Sequence, residues 1–255
     1  MIPLKSKAEI ALMREAGRIV ARVHQVLRDM IKPGVTTAQL NARADQIIRA
    51  HGATPTFLGY PHTGKNDFPY SVCISVNEVI VHGFPSGRWL EPGDIIAVDV
   101  GATYRGWVGD SAWTYPVGQI DGEAERLLRT TEGALWAGIA QAHAGNRVSD
   151  ISRAIEQYVN QRGFTVVREY TGHGVGRKMH EEPQVLNYVP RGARRSPEIK
   201  VGMTFALEPM VNVGTWRTRT LSDGWTVVTA DGKRSAHFEH TIAITENGPE
   251  ILTVL

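Results

Sequence analysis

The most constraining feature of this chain is residues 95–111, IIAVDVGATYRGWVGDS, where two aspartates stand inside apolar runs. Side chains alternate along a strand, so Asp99 shares a face with apolar neighbours. Gly101 and Gly106 bracket a short connection, and the next apolar run brings Asp110 back towards Asp99. We therefore predict a β-hairpin that holds both carboxylates close together.

Two carboxylates among apolar side chains need compensation. An unpartnered buried carboxylate is costly, so the pair calls for a cation, a shared proton or hydrogen bonds. The hairpin alone leaves three interpretations open, namely a metal site, turn capping and ion pairing.

Composition narrows the class of protein. The chain has 255 residues, 42% of them hydrophobic, and a formal net charge of +2, so the total implies neither a polybasic nucleic-acid surface nor an acidic tail. Its single cysteine, Cys73, cannot form an internal disulfide, which suits a reducing compartment. We find no signal-peptide core and no apolar run near the ~18 to 20 residues that span a bilayer. These features predict a cytoplasmic protein without a membrane segment.

Periodicity predicts two similar halves. A capping box at Ser6 and Glu9 opens a helix that ends at Pro33, and Thr37 is predicted to cap a second helix that stops at Gly52. Further helices are predicted at 123–144 and 149–162, and strands at 71–76, 164–168, 202–211, 225–229, 237–245 and 251–254. Residues 6–117 and 123–245 thus share one order of elements. We expect one domain over residues 1–255, with pseudo-twofold halves around a curved antiparallel sheet.

The second half repeats the anomaly of the hairpin. Glu208 interrupts the apolar run GMTFALEPMV, and Glu239 stands in HFEHT. A duplication would bring both glutamates against Asp99 and Asp110, and four such charges repel one another by about 4 kcal/mol per close pair. Two divalent cations would cancel that charge, with His173 of TGHGVGRKMHEEP completing the set. Paired ions of this kind activate water for hydrolysis.

These segments carry a resemblance. NEVIVHGFP, DVGATYRGWVGD, TGHGVGRKMHEEPQV, FALEPM and HFEHT, in this order, resemble the short bacterial type I methionine aminopeptidases. The resemblance implies an α+β pita-bread fold and removal of the initiator methionine from nascent polypeptides, with a small second residue preferred. It implies two divalent ions, of cobalt, manganese, ferrous iron or zinc. Their implied ligands are Asp99, Asp110, His173, Glu208 and Glu239, with Asp110 and Glu239 bridging.

The resemblance also implies the remaining roles. Glu208 would accept the proton of the attacking water, His180 would steady the carbonyl oxygen, and His82 would contact the substrate. A monovalent cation would lie near Asn77, Val79 and Ser235. The methionine pocket would be formed by Tyr60, Phe68, Cys73, Tyr170 and Trp225, with Phe57 and Met179 at its edges.

Three positions depart from the pattern of the resemblance. Residues 61–67 form an excursion between Tyr60 and Phe68 that is longer than in the short form, Phe57 stands where a smaller residue is common, and His237 stands where glutamine is frequent. His237 either perturbs the shell around the ligands or faces solvent.

Residues 59–66 also come within one residue of a phosphate-binding loop. Asn66 lacks the required hydroxyl and Pro69 blocks the helix that should follow, so we reject that interpretation.

Rival interpretations remain. Proline-specific peptidases share the metal ligands, although they usually carry a large amino-terminal domain and this chain begins with the catalytic unit. A metal-free creatinase-like hydrolase and a non-catalytic pita-bread adaptor would each have lost ligands that are intact here. We expect a monomer that acts on the N-termini of nascent polypeptides without binding a specific nucleic acid. The basic residues within 191–200 predict a solvated loop, with a transient ribosome contact as the alternative.

Overall fold

The computed structural model describes residues 2–62, 64, 66–192 and 196–255. Within these ranges the helices are α1 (Lys7–Met30), α2 (Thr37–Ala50), α3 (Gly122–Ile139) and α4 (Val148–Asn160). The strands are β1 (Thr54–Pro55), β2 (Cys73–Val76), β3 (Val79–Val81), β4 (Ile95–Tyr104), β5 (Trp107–Pro116), β6 (Thr165–Val166), β7 (Gly172–Gly174), β8 (Glu181–Val185), β9 (Thr204–Leu207), β10 (Met210–Asn212), β11 (Thr218–Thr220), β12 (Val227–Thr229), β13 (Ser235–His237), β14 (His240–Thr245) and β15 (Gly248–Ile251).

The paired strands are antiparallel throughout the described residues. The first sheet has four strands. Its order is β1-β4-β2, and β5 also pairs with β4. The second and third have the orders β13-β10-β6 and β11-β12-β3, and the fourth has the order β15-β14-β9-β7-β8. Strands from both halves of the chain meet in the third sheet, because β3 pairs with β12.

The predicted hairpin is formed by β4 and β5. Across this ladder Asp99 lies opposite Ala112, and Gly101 lies opposite Asp110, so the two aspartates are diagonal neighbours. The connection consists of Arg105 and Gly106, which have φ of 49° and 77° as a two-residue hairpin turn requires. Gly101 was predicted to bracket this turn and instead lies inside β4. A Cβ there would stand 2.8 Å from the Phe57 ring, which explains the glycine.

Three apolar clusters surround the hairpin. One packs α1 and α2 against the first sheet and includes Val20, Leu27, Leu40, Ile48 and Val98. A second packs α3 and α4 against the fourth sheet and includes Leu127, Leu135, Ile151, Phe205 and Ile242. A third lies beside the aspartates and includes Phe57, Phe68, Cys73, Met179 and Ala206.

The helix caps follow the sequence with one correction. Ser6 and Glu9 form the predicted capping box of α1, with the Ser6 N–H donating to Glu9 at 2.8 Å. Helix α2 is capped by Thr36, whose hydroxyl accepts the N–H of Gln39. The predicted cap, Thr37, is the first helical residue, and its hydroxyl donates to the Ser86 carbonyl.

Several predicted elements have different bounds in the structure. The predicted strand 202–211 is divided into β9 and β10 at Glu208 and Pro209, because proline cannot donate to a ladder. The predicted strand 237–245 is likewise divided into β13 and β14, with Glu239 in the gap. Helix α3 ends at Ile139, before the predicted 144, and the last strand spans Gly248–Ile251 instead of 251–254.

In the described part of the chain, no helix combines the length and apolar character needed to cross a membrane. The basic segment 191–200 falls partly outside the described residues, at 193–195.

Candidate metal centre

Five titratable side chains meet where β4, β5, β7 and two strand breaks converge. Asp110, His173 and Glu239 each offer one ligand atom, and these atoms lie within 4.8 Å of one another. Asp99 and Glu208 line the same cavity. His173 Nε2 lies 3.8 Å from Asp110 Oδ2 and 3.3 Å from Glu208 Oε1. The structure therefore brings together the five residues that the sequence singled out.

Backbone hydrogen bonds join β5 to the segment that carries Glu239. The Glu239 N–H donates to the Ala112 carbonyl at 2.7 Å, and the Ser111 hydroxyl donates to the Glu239 carbonyl at 2.6 Å. The Thr241 hydroxyl accepts the Asp110 N–H at 3.1 Å and lies 2.8 Å from the Asp110 carbonyl, to which it donates. These hydrogen bonds bring Asp110 and Glu239 together from the two halves of the chain.

Glu208 is positioned by a residue that the sequence did not single out. The Asn187 side-chain amide donates to the Glu208 carbonyl at 3.0 Å, and Asn187 itself is buried. Asn187 lies just beyond β8, and no spacing signal linked it to Glu208, 21 residues away.

Several buried oxygens in the cluster lack a partner. Among the described residues, Asp99 Oδ1, Asp110 Oδ1 and Glu239 Oε1 are buried without a hydrogen bond, and so is His237 Nε2. Unpartnered carboxylate oxygens facing one another are costly, whereas carboxylate and imidazole donors suit divalent transition ions. The donor set therefore fits a divalent cation.

The electrostatics of the cluster lead to the same conclusion. Burial raises the pKa of Asp110 to about 7. Burial, reinforced by the neighbouring carboxylates, raises the pKa values of Asp99, Glu208 and Glu239 well above the usual range. Burial lowers the pKa of His173 to about 3, so its imidazole is neutral. Without a cation the cluster holds protons, and a cation would displace them.

A cavity of about 390 Å³ opens beside the cluster. It is lined by all the residues predicted for the methionine pocket, namely Tyr60, Phe68, Cys73, Tyr170 and Trp225, with Phe57 and Met179. Phe68 and Trp225 meet edge to face with ring centres 5.2 Å apart. Aromatic walls and one thiol suit an unbranched apolar side chain.

Two histidines flank this cavity. His180 Nδ1 lies 2.6 Å from the Tyr60 hydroxyl, and the His180 ring centre is 4.4 Å from that of His173. His82 directly follows β3 with φ of 58°, a conformation uncommon outside glycine, and its ring stands 5.6 Å from that of Tyr170. Burial lowers the pKa of His82 to about 4 and also lowers that of His180. Both rings are therefore neutral near pH 7.

The loop that carries His180 is fixed to the start of the chain. Lys5 Nζ lies 2.6 Å from Glu181 Oε2, and both side chains are largely buried. Glu181 Oε1 accepts the backbone N–H groups of Arg177 and Lys178. The ion pair therefore holds the glycine-rich loop against the residues that precede α1.

The excursion at 61–67 contributes to the wall of the cavity. Pro61 and His62 line it, and the His62 and Trp225 ring centres are 4.8 Å apart. Trp225 Nε1 donates to the Asn66 carbonyl at 2.9 Å. Residues 63 and 65 lie outside the described part of the chain. The excursion therefore contacts the side of the cavity formed by Trp225.

His237 is the residue whose place the sequence left open. It is 2% exposed and lines the cavity, so the alternative that it faces solvent is wrong.

The predicted monovalent-cation position involves Asn77, Val79 and Ser235. The Ser235 N–H donates to the Asn77 carbonyl at 2.9 Å, which brings these two residues together.

The comparisons with known proteins agree with this geometry. Residues 11–246 match Metallopeptidase family M24. Methionine aminopeptidase 1 of Bacillus subtilis is 52% identical over 99% of both chains. The crystal structure of a methionine aminopeptidase from Thermotoga maritima superposes with a TM-score of 0.95 at 44% identity, over 100% of both chains.

A more distant structure shares the fold alone. The Xaa-Pro dipeptidase from Bacillus anthracis superposes with a TM-score of 0.78 at 22% identity, and this chain covers 61% of its length. The predicted α+β pita-bread architecture is thus confirmed in both groups. Full-length identity near one half separates the first group from the second, and the chain belongs to the methionine aminopeptidases of metallopeptidase family M24.

Proposed function

We propose that this protein hydrolyses the first peptide bond of polypeptides that begin with methionine, using two divalent ions held by the buried cluster. The observation that carries the proposal is the placement of unpartnered carboxylate oxygens at the base of an aromatic cavity. The ligands would be Asp99, Asp110, His173, Glu208 and Glu239, with Asp110 and Glu239 shared between the ions. When bound, such ions make water nucleophilic near neutral pH and stabilise charge on the carbonyl oxygen.

The surrounding side chains complete the mechanism. The substrate methionine enters the cavity between Phe68 and Trp225, which excludes water from its thioether. Glu208 accepts a proton from the attacking water and returns it to the leaving amine. His180 donates from Nε2 to the carbonyl oxygen of the scissile bond, and His82 contacts the substrate beside that bond. The proposal includes a preference for a small second residue.

The biological setting is part of the same proposal. Substrates are the N-termini of nascent polypeptides, which emerge in the cytoplasm, and the enzyme acts there as a monomer. A transient ribosome contact through the basic segment 191–200 belongs to the proposal. Cobalt, manganese, ferrous iron and zinc all suit four carboxylates and one imidazole, and a monovalent cation near Asn77, Val79 and Ser235 would support the site from outside.

The test is release of free methionine from Met-Gly and Met-Leu peptides, with a Xaa-Pro peptide in parallel. The chelated protein is assayed before and after addition of manganese or cobalt. We expect metal-restored cleavage of the Met-Gly peptide alone. Cleavage of the Xaa-Pro peptide would instead assign the chain to the proline-specific branch of the fold. No cleavage of any peptide with any added metal would favour a non-catalytic role. Glu208→Gln serves as the matched inactive variant.

A further inference from the structure

His237 is held rigidly at the end of β13. Its backbone N–H donates to the Thr114 hydroxyl at 2.9 Å, and its carbonyl accepts from the same hydroxyl at 2.7 Å. In the ladder His237 pairs with Met210 of β10. Only 2% of the residue is exposed, so the strand and its neighbours fix the direction of the ring.

The ring directs one nitrogen at the carboxylates. His237 Nε2 lies 3.7 Å from Glu208 Oε2 and 3.9 Å from Glu239 Oε2. Both distances exceed those of hydrogen bonds, and within the described residues this nitrogen has no hydrogen-bond partner. A buried ring nitrogen without a partner requires an explanation, and an ion between these three groups would supply one.

The spacing matches that of His173. His173 Nε2 stands 3.3 Å from Glu208 Oε1 and 3.8 Å from Asp110 Oδ2. Glu208 therefore has an imidazole near each carboxylate oxygen. Two donors that are each ~2.1 Å from one ion can stand up to ~4.2 Å apart, so the distances of His237 allow a shared ion as readily as those of His173.

We propose that His237 Nε2 is an additional ligand of the divalent ion held by Glu208 and Glu239. The inference rests on the proposed function, since it needs a metal in the cluster. The site then offers two imidazoles and four carboxylates. A second imidazole favours cobalt, zinc and other late transition ions over manganese, which is better served by oxygen donors.

The experiment counts imidazole ligands directly. The full-length protein is stripped of metal and saturated with cobalt(II) alone, and its strongly shifted exchangeable proton resonances are recorded by NMR. An imidazole bound through Nε2 contributes one such resonance from its Nδ1–H, and for His173 this proton points at the Gly174 carbonyl, 2.9 Å from Nδ1. We expect two resonances in the wild type and one in His237→Gln.

Matched variants complete the design. His240→Gln removes a buried imidazole three residues along, whose Nδ1 lies 2.7 Å from the Thr253 hydroxyl, and should leave two resonances. His173→Gln should leave one, contributed by His237, and keeps the test decisive if His237→Gln fails to fold. By cobalt(II) titration, His237→Gln should weaken binding at least ~10-fold, the scale on which removal of a metal's supporting residues acts.

The outcomes separate the two proposals. A wild-type protein that binds cobalt(II) with a single imidazole overturns the assignment of His237 and leaves the proposed function intact. Two resonances that persist in His237→Gln overturn it as well. A wild-type protein that binds no cobalt(II) overturns both proposals together.

Discussion

Asp110 and Glu239 are the residues on which the chemistry of the site depends most. Each is at most 2% exposed, each has one unpartnered oxygen, and their ligand atoms lie within 4.8 Å of each other. In the proposed mechanism each would contribute to both ions. Removing either charge should therefore affect metal binding more than folding.

The first prediction concerns these two residues. Asp110→Asn or Glu239→Gln should lower metal-restored cleavage by more than ~100-fold, beyond the effect of removing a residue that only supports a ligand. The thermal unfolding midpoint of the metal-free protein should not fall, because the amide is neutral without taking up a proton and so avoids the cost of a buried charge. Glu15→Gln, in an exposed pair with Arg18, is the control. Activity near that of the wild type in either variant would contradict the dinuclear assignment.

The second prediction concerns the tautomer of His180. Burial raises the pKa of Tyr60, so its hydroxyl keeps its proton, and we expect it to donate to His180 Nδ1, 2.6 Å away. The ring proton then lies on Nε2, the form that donates to a carbonyl oxygen. Tyr60→Phe should lower kcat about 100-fold, the low end of general acid–base effects, without changing the unfolding midpoint. An unchanged kcat would show that Tyr60 does not position the ring.

Among the elements, α1 and β5 approach each other unusually closely. A Cβ at Gly109 of β5 would lie 2.6 Å from the Gly17 nitrogen of α1. A Cβ at Gly17 would lie 2.1 Å from the Leu252 carbonyl oxygen. The helix thus supports the strand that carries Asp110, and the glycines permit the contact because they have no side chain.

The third prediction tests this contact. Gly17→Ala should destabilise the protein by about 1–3 kcal/mol, the usual range for overpacking, because the obstructing atoms are backbone and cannot move aside. Chemical denaturation measures the change. Gly122→Ala at the start of α3 is the control, since a Cβ there meets no atom within 4 Å. Equal stability of the two variants would show that α1 can shift at low cost.

At the scale of the whole molecule, apolar packing stabilises the fold, and the burial of several carboxyl groups in one cluster opposes it. One apolar cluster lies under α1 and α2 and another under α3 and α4, and the acidic cluster joins Asp110 of the first half to His173 and Glu239 of the second. We propose that the two sets, residues 6–117 and 123–245, are duplicated halves of one catalytic domain. Their meeting brings four carboxylates to the wall of one cavity.

The fourth prediction follows from the raised carboxyl pKa values. The pKa of Asp110 is about 7 in the folded protein, against about 3.9 for an unfolded chain. Between these values folded Asp110 binds a proton that the unfolded chain has lost, so its contribution to stability falls as pH rises from ~4 to ~7. His82 and His173 have lowered pKa values and act in the opposite direction below pH ~6.5, so the comparison is made above that pH. Thermal unfolding of the metal-free protein should show a lower midpoint at pH 8 than at pH 7.

Added manganese or cobalt should reverse this trend at pH 8 and release protons on binding, which calorimetry in buffers of different ionisation enthalpy detects. A pH-independent midpoint in the metal-free protein would contradict the charge repulsion inferred for the cluster.

The sequence predicted the elements best where one local rule governed them. The alternation around Asp99 gave the hairpin, and Ser6 with Glu9 gave the start of α1, because both signals depend only on neighbours in the chain. Strand ends were predicted less well. The apolar runs that hold Glu208 and Glu239 were each predicted as one continuous strand. In the structure each run is divided into two strands, and the glutamate lies in the gap between them.

By itself the sequence determined which residues are chemically out of place. Asp99, Asp110, Glu208 and Glu239 interrupt apolar runs, and the anomaly is visible without coordinates because burying a charge is unfavourable in any fold. The distances among them were decided only by the tertiary structure. The hydrogen bonds between β5 and residues 239–241 set them, and the same packing buries His237 with Nε2 3.7 Å from Glu208 Oε2. Contacts across more than 120 residues depend on how the two halves pack, and no local pattern encodes that packing.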